Sequence, residues 1–164
     1  MDTFMEAPLD GENKIQPEFD RSAPRFDRLC HGDMTLRAIE KHPGDGVLLP
    51  FYYYEIDVRD IPVGKISIRI GDNFHSYYNG HIGYEIDEAA RGHGYARRAC
   101  ELVLDVARFH GMTRLYVTCD EDNAASYRTI EKLGGSLLEI CDVPKEYFAW
   151  HEGIKRHRIY RLDL

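Results

Sequence analysis

The sequence has no long apolar run and no basic surplus. No stretch approaches the roughly 20 residues of a membrane helix. The first residues, Met1-Asp2-Thr3-Phe4-Met5-Glu6, lack the basic and apolar regions of a secretory signal, so a soluble cytoplasmic protein is expected. The formal net charge is −7, whereas a nucleic-acid binder would usually show a basic face. The four cysteines, Cys30, Cys100, Cys119 and Cys141, lie far apart and form no CxxC. That spacing argues for free thiols in a reducing compartment over a disulfide framework. Eight histidines are present without a His-Glu-x-x-His: His151-Glu152 is followed by His157 at the wrong spacing, so no metal site is expected. Internal repeats, low-complexity tracts and a second domain are also missing.

What is present suits one folded domain. A chain of 164 residues can build a real core, and a hydrophobic fraction of 43% with 12% aromatics argues against disorder. The acidic, proline-punctuated residues 1–33 read as an N-terminal arm, with Ile15, Phe19, Phe26 and Leu29 able to anchor it and a short helix near Arg25–Cys30. The remaining residues, 34–164, read as the domain.

The most informative stretch runs from His81 to Ala96. Ile82, Tyr84 and Ile86 alternate with His81, Gly83, Glu85 and Asp87, the period of a strand. The chain then turns through Arg91-Gly92-His93-Gly94 and enters a helical pattern carried by Ala99, Leu102, Val103 and Val106. A glycine-rich turn at a helix start leaves backbone N–H groups unpaired beside the positive end of the helix dipole, which suits a phosphate or pyrophosphate. The glycines could also serve the turn alone. A Walker loop would need Gly-Lys-Ser/Thr, where Tyr95, Ala96 and Arg97 follow instead. A dinucleotide fingerprint needs a small residue at position 97, where Arg97 stands.

Other elements follow from pattern. Thr35–His42, Phe51–Arg59 and Val63–Ile70 read as strands of an antiparallel meander that His81–Asp87 completes. The segment 71–80, with Phe74, His75, Tyr77 and Tyr78, reads as a loop. The helix after the glycine turn extends to about His110, with Gly111 closing it. Arg114–Cys119 is a short strand. Asp122 or Asn123 caps a helix over Ala124–Leu133, and Ser136–Cys141 and Arg156–Leu162 are two further strands.

The pattern Arg-x-x-Gly-x-Ala, from Arg91 to Ala96, resembles the acyl-CoA-binding loop of the GNAT superfamily of N-acyltransferases. Asn123-Ala124-Ala125-Ser126, followed by Glu131-Lys132-Leu133-Gly134, resembles that family's second motif at matching spacing. The order of elements from about Phe51 onward is also similar. The resemblance implies an α/β fold with a mixed, mostly antiparallel central sheet, splayed central strands and helices on both faces. It implies an N-acetyltransferase that moves an acetyl group from acetyl-CoA to a primary amine by direct attack in a ternary complex. The alternative is a non-catalytic CoA-binding module of the same fold. Expected partners are acetyl-CoA, with CoA as product, an amine acceptor and, in a homodimer, a second copy of the chain.

By the same resemblance, Ile86, Asp87, Arg91, Gly92, His93, Gly94, Tyr95, Ala96, Asn123 and Ser126 would bind the cofactor. Arg97 and Arg98 either assist an anion there or are solvated charges. Glu85 and His81, on the polar face of the strand, are candidate bases for the acceptor ammonium. Where the family often has a tyrosine that protonates the departing thiolate, this chain has Ile130; Tyr127, one turn earlier, is the candidate replacement. The two helices that usually wall the family's acceptor pocket have no room in residues 43–50, so either the first strand lies elsewhere than Thr35–His42 or the arm and the 74–78 loop supply that wall. Acidity from Glu85, Asp120, Glu121 and Asp122 mildly favours a cationic acceptor.

Overall fold

The structure, a computed structural model, describes residues 19–20 and 22–164. A five-stranded sheet comes first: β1 (Arg28–His31), β2 (Met34–His42), β3 (Phe51–Val58), β4 (Ile61–Arg69) and β5 (Ile82–Ile86). These strands lie in chain order and pair antiparallel throughout. Helix α1 (Phe74–Asn79) joins β4 to β5, and α2 (Tyr95–Phe109) follows β5. Strand β6 (Arg114–Asp120), helix α3 (Ala124–Lys132), β7 (Ser136–Cys141) and β8 (His157–Asp163) complete the chain, with β8 between β6 and β7 in a second antiparallel sheet.

The core follows the alternation in the sequence. Met34, Leu36, Tyr54, Ile56, Ile66 and Ile68 point from one face of the large sheet onto Ala99, Val103, Val106 and Ala107 of α2. Burying one such isoleucine or leucine and then truncating it to alanine costs about 2–5 kcal/mol. In the second sheet, Leu115, Val117, Tyr160 and Leu162 continue this core, while Tyr116 and Ile159 face the other way and pack with Tyr77 of α1. The helices therefore cover both faces, α2 and α3 on one and α1 on the other.

Two expectations need correction, and the expected splay of the central strands is present. Residues 71–80 contain a helix: Asn73 caps it by accepting from the Ser76 N–H at 2.9 Å, and the Ser76 hydroxyl in turn accepts from the Asn73 N–H at 3.0 Å. The six-residue α1 is too short for periodicity to betray it, but the reciprocal cap was readable as Asn-x-x-Ser. Residues 28–31, assigned to the arm, form strand β1, and the expected short helix shrinks to a 3-10 turn at Pro24–Phe26. Phe19, Phe26 and Leu29 do anchor on the core, with the Phe19 ring 4.8 Å from that of Tyr52; Ile15 lies outside the described residues. Finally, β5 and β6 meet through the His81 N–H, which donates to the Tyr116 carbonyl at 2.7 Å, and do not extend into a ladder. A Cβ on Gly80 would stand only 3.2 Å from the Tyr116 carbonyl oxygen, so a glycine permits that close approach.

Candidate functional site: two cavities beside one strand

Beyond that contact β5 and β6 part, and the opening leads into a cavity of about 620 Å³. Its walls are β5, the turn after it, the first turn of α2 and one face of α3 from its cap to Lys132. Arg91, Gly92, Gly94, Tyr95, Ala96, Asn123, Ser126 and Ile86 all line it, so most residues named from the sequence come together here. Gly92 and Gly94 have φ of +84° and +72°, the left-handed region that glycine enters without strain, and a Cβ at either would point into open space. The first backbone bond of α2 runs from the Arg98 N–H to the Gly94 carbonyl at 3.2 Å, and no side chain caps the helix. The N–H groups of Tyr95, Ala96 and Arg97 are therefore left for a ligand. This is a fit for a pyrophosphate, carried by backbone.

Two named residues turn elsewhere. His93 is exposed and stacks on Tyr95 outside the cavity, and Asp87 lies on the far side of the turn. Arg97 lines the cavity, whereas Arg98 pairs with Asp33 in the β1–β2 turn at 2.5 Å. Sequence reasoning missed Tyr84, Thr129 and Lys132, which also line it. Lys132 lies in the motif Glu-Lys-Leu-Gly, where its charge could have been read; the Tyr84 side chain reaches the site only through tertiary packing. The Tyr84 hydroxyl meets that of Ser126 at 2.9 Å, and Asn123 caps α3 by accepting from the Ser126 N–H at 3.2 Å. Burial raises the pKa of Tyr84 and pushes the Cys119 thiol, which packs against the core, up to about 11, so it is a neutral thiol and not a thiolate nucleophile.

The proposed proton carriers separate clearly. Glu85 is exposed at the cavity edge, opposite Lys65 in the β4–β5 register. His81 is fully buried: its Nε2 donates to the Gly71 carbonyl at 2.7 Å, its Nδ1 accepts from the Tyr116 N–H at 2.9 Å, and Asp72 stands 3.2 Å from Nε2. The tautomer is assigned from this network. Both nitrogens are occupied in tying β5 to β6, which leaves none to take an acceptor proton, so the expectation of His81 as base is corrected to a structural strap. Tyr127 packs against the core beneath the Arg158 guanidinium, 4.1 Å from its ring centre, and does not line the cavity. It is a packed aromatic in place of the expected acid. Ile130 is fully buried.

A second cavity, about 420 Å³, opens across the sheet. Six segments build it: Glu40 of β2, Phe51 and Tyr53 of β3, Ser67 and Arg69 of β4, Asn73 to Asn79 around α1, Val47 to Leu49 before β3, and Phe148-Ala149 from the segment after β7. That last segment is clamped on α1, where the Tyr147 hydroxyl donates to Asn79 Oδ1 at 2.8 Å and the Phe148 N–H to His75 Nδ1 at 3.1 Å. Helix α1 thus forms part of the wall that the 74–78 segment was expected to supply, together with residues 47–49 and 148–149. The acids expected to colour this cleft are engaged elsewhere: Glu121 with Arg156 at 3.4 Å, Asp122 with Lys155 at 2.8 Å, and Asp120 3.8 Å from His157.

Residues 19–136 match the acetyltransferase (GNAT) domain family, well over half of the chain. The chain belongs to the GNAT acetyltransferase family. Solved structures of GNAT proteins share its fold. The apo form of RimL, a ribosomal L7/L12 alpha-N-protein acetyltransferase, superposes with a TM-score of 0.59 at 16% identity, covering 82% of this chain and 92% of that one. The microcin C7 self-immunity acetyltransferase MccE, in complex with acetyl-CoA and AMP, gives 0.54 at 19% identity, covering 70% of this chain and 61% of that one. A GNAT-family acetyltransferase from Bacillus anthracis gives 0.54 at 21% identity, with 68% and 65% covered. The chain thus spans about three-fifths of the length of the microcin acetyltransferase. No curated protein matches the chain significantly in sequence. Among the described residues, no GNAT helix is long and apolar enough to cross a membrane.

Proposed function

We propose that the protein is an acetyl-CoA-dependent N-acetyltransferase that holds acetyl-CoA and an amine together and lets the amine attack the thioester directly. The observation that carries this is the pairing of two cavities, a phosphate-suited one between β5 and the α2 terminus and a second across the sheet whose Arg69 reaches Gly83 of β5. In this reading the pyrophosphate sits on the N–H groups of Tyr95, Ala96 and Arg97, with Arg91, Arg97 and Lys132 adding positive charge. Asn123 fixes the first turn of α3, so Ser126 presents its hydroxyl to the interior of the cofactor cavity.

The acceptor amine must lose a proton before it attacks. Glu85, at the cavity edge, is the remaining named carboxylate that can take it, directly or through water. The tetrahedral oxyanion is stabilised by backbone N–H groups where β5 and β6 part, an effect worth several kcal/mol when the donors are fixed in advance. Ser126, hydrogen-bonded to Tyr84, is placed to hand a proton to the departing CoA sulphur. The test has two stages. Acetyl-CoA and CoA should raise Tm in a panel where ATP and NAD do not. CoA release should then require an amine. Stabilisation by acetyl-CoA with no CoA release across an amine library would reduce the protein to a CoA-binding module.

A further inference from the structure

Arg69 is the last residue of β4 and lines the second cavity. It is partly buried, and burial lowers its pKa. Its Nη1 donates to the Gly80 carbonyl at 3.1 Å. Among the described residues, no carboxylate lies within ion-pair distance of it. Arg114, which is fully buried, shows the usual arrangement: Asp72 stands 3.2 Å from its Nη1. A guanidinium carries five N–H donors in a planar fork, and a buried cation without a counter-charge is costly. Donors of Arg69 beyond its bond to Gly80 are therefore open to an anion, and the fork shape matches a carboxylate.

The rest of the cavity specifies what else that partner carries. Val47, Leu48 and Phe148 are 49%, 37% and 47% exposed, so three large apolar side chains stand open around one mouth, with Phe51 behind them. Such a patch marks a binding surface for apolar groups. Among the described residues, Glu40 is the only acid lining the cavity, and it lies at the far end of the cross-strand row Glu40, Tyr53, Ser67, Gly83. At about 4.8 Å per strand, that row puts it some 14 Å from β5. Arg69 is at the other end. A Cβ built on Gly83 would be 3.6 and 3.7 Å from the two Arg69 terminal nitrogens. Its guanidinium thus abuts β5, beside the cofactor cleft.

We propose that the acceptor is a free α-amino acid with an apolar or aromatic side chain, whose carboxylate is bound by Arg69. This rests on the transferase reading above. A carboxylate held against Gly83 leaves its own α-nitrogen next to β5, and the side chain extends among Val47, Leu48, Phe51 and Phe148. A polyamine would instead bring cations to Arg69, and a peptide N-terminus has no carboxylate beside its amine. In the reaction the α-nitrogen forms a bond to the acetyl carbon and the carbon–sulphur bond breaks. The ammonium gives up two protons: one passes through the base to solvent and one ends on the CoA sulphur.

The test uses the full chain with acetyl-CoA and follows CoA release from L-phenylalanine, L-leucine, L-phenylalaninamide, spermidine and a peptide with a free N-terminus. The free acids should exceed the amide in kcat/KM by about 10- to 100-fold, the worth of hydrogen bonds to a charged group. Arg69→Gln should erase that gap by lowering kcat/KM for the acids alone, and Arg69→Lys should restore part of it. The Tm rise with acetyl-CoA should be the same in both variants as in the unaltered protein. Equal turnover of acid and amide, preference for spermidine or the peptide, or equal loss for both ligands in Arg69→Gln overturns the inference while leaving the transferase reading intact. No Tm rise with acetyl-CoA, or no CoA release with any amine, overturns the transferase reading and this inference with it.

Discussion

The two cavities beside β5 are built by opposite means. The cofactor cavity is mostly backbone: one run from Ile86 to Arg97, two glycines at positive φ, and the uncapped start of α2. The acceptor cavity is mostly side chain, gathered from six segments between Glu40 and Ala149. A backbone site needs particular residues only where the chain must turn or a ligand must approach closely, so short motifs can encode it. A side-chain site needs a shape and a charge, which many sequences can supply. One consequence is that the first cavity should tolerate little change in a few places, and the second should change specificity under many substitutions.

The sharpest way to break this comparison is at the strand between them. Glu85→Gln keeps shape and hydrogen bonding but removes proton affinity, so turnover with a verified acceptor should fall by about two to four orders of magnitude with acetyl-CoA affinity unchanged. Steady-state kinetics beside calorimetry read both. Unaltered turnover would mean that water or another group takes the proton. The contrast with His81 adds to the test: His81→Gln should lose stability, seen as a lower denaturation midpoint, because the strap between Gly71 and Tyr116 is broken.

The next effect tests what holds the cleft open. Asp72 is 12% exposed and lies 3.2 Å from both Arg114 and His81. Burial opposes its ionisation, but hydrogen bonds from His81 and Arg114 and the Arg114 charge outweigh that and hold the carboxyl below its ordinary value of 3.8. A folded-state pKa that is depressed contributes stability above the unfolded value and loses it as pH falls through the folded one. Asp72→Asn should therefore cost about 1–3 kcal/mol near neutral pH, the worth of charge-assisted hydrogen bonds to Arg114 and His81. The difference from the unaltered protein should shrink below about pH 4. Urea titrations across pH 3–7 would show it; a constant difference would place the cost in packing.

A comparable effect is expected at the backbone site. Gly94→Val puts a branched side chain at φ +72° and into the space left for phosphate. Acetyl-CoA affinity should drop by at least the worth of one charge-assisted hydrogen bond, about 1.5–3 kcal/mol. Calorimetry with acetyl-CoA and with a pantetheine fragment that lacks the pyrophosphate should show the loss for the former alone. Equal losses would move the pyrophosphate off this turn. The smallest effect belongs to Cys119: with its thiol pushed up to about 11, alkylation by iodoacetamide at pH 7.5 should be slow, and Cys119→Ala should leave turnover nearly unchanged.

The sequence by itself determined the elements whose signal is local. The alternation of Ile82, Tyr84 and Ile86, the glycines at 92 and 94, the Asn123 cap and the apolar spacing along α2 each act within a few residues, so periodicity and turn chemistry reveal them. The family resemblance rested on those same residues. Only the tertiary structure decided what depends on contacts between distant segments. It sent His81 inward, because an imidazole with one donor and one acceptor can bridge Gly71 and Tyr116 where strand pairing stops. It drew Glu121 and Asp122 away from the cleft, because Arg156 and Lys155 fold over them from the start of β8. It also left Arg69 without a carboxylate beside an apolar mouth. Side-chain direction, burial and charge pairing are set by which surfaces meet, and a linear pattern with a period of two gives a strand its faces without saying what each face will touch.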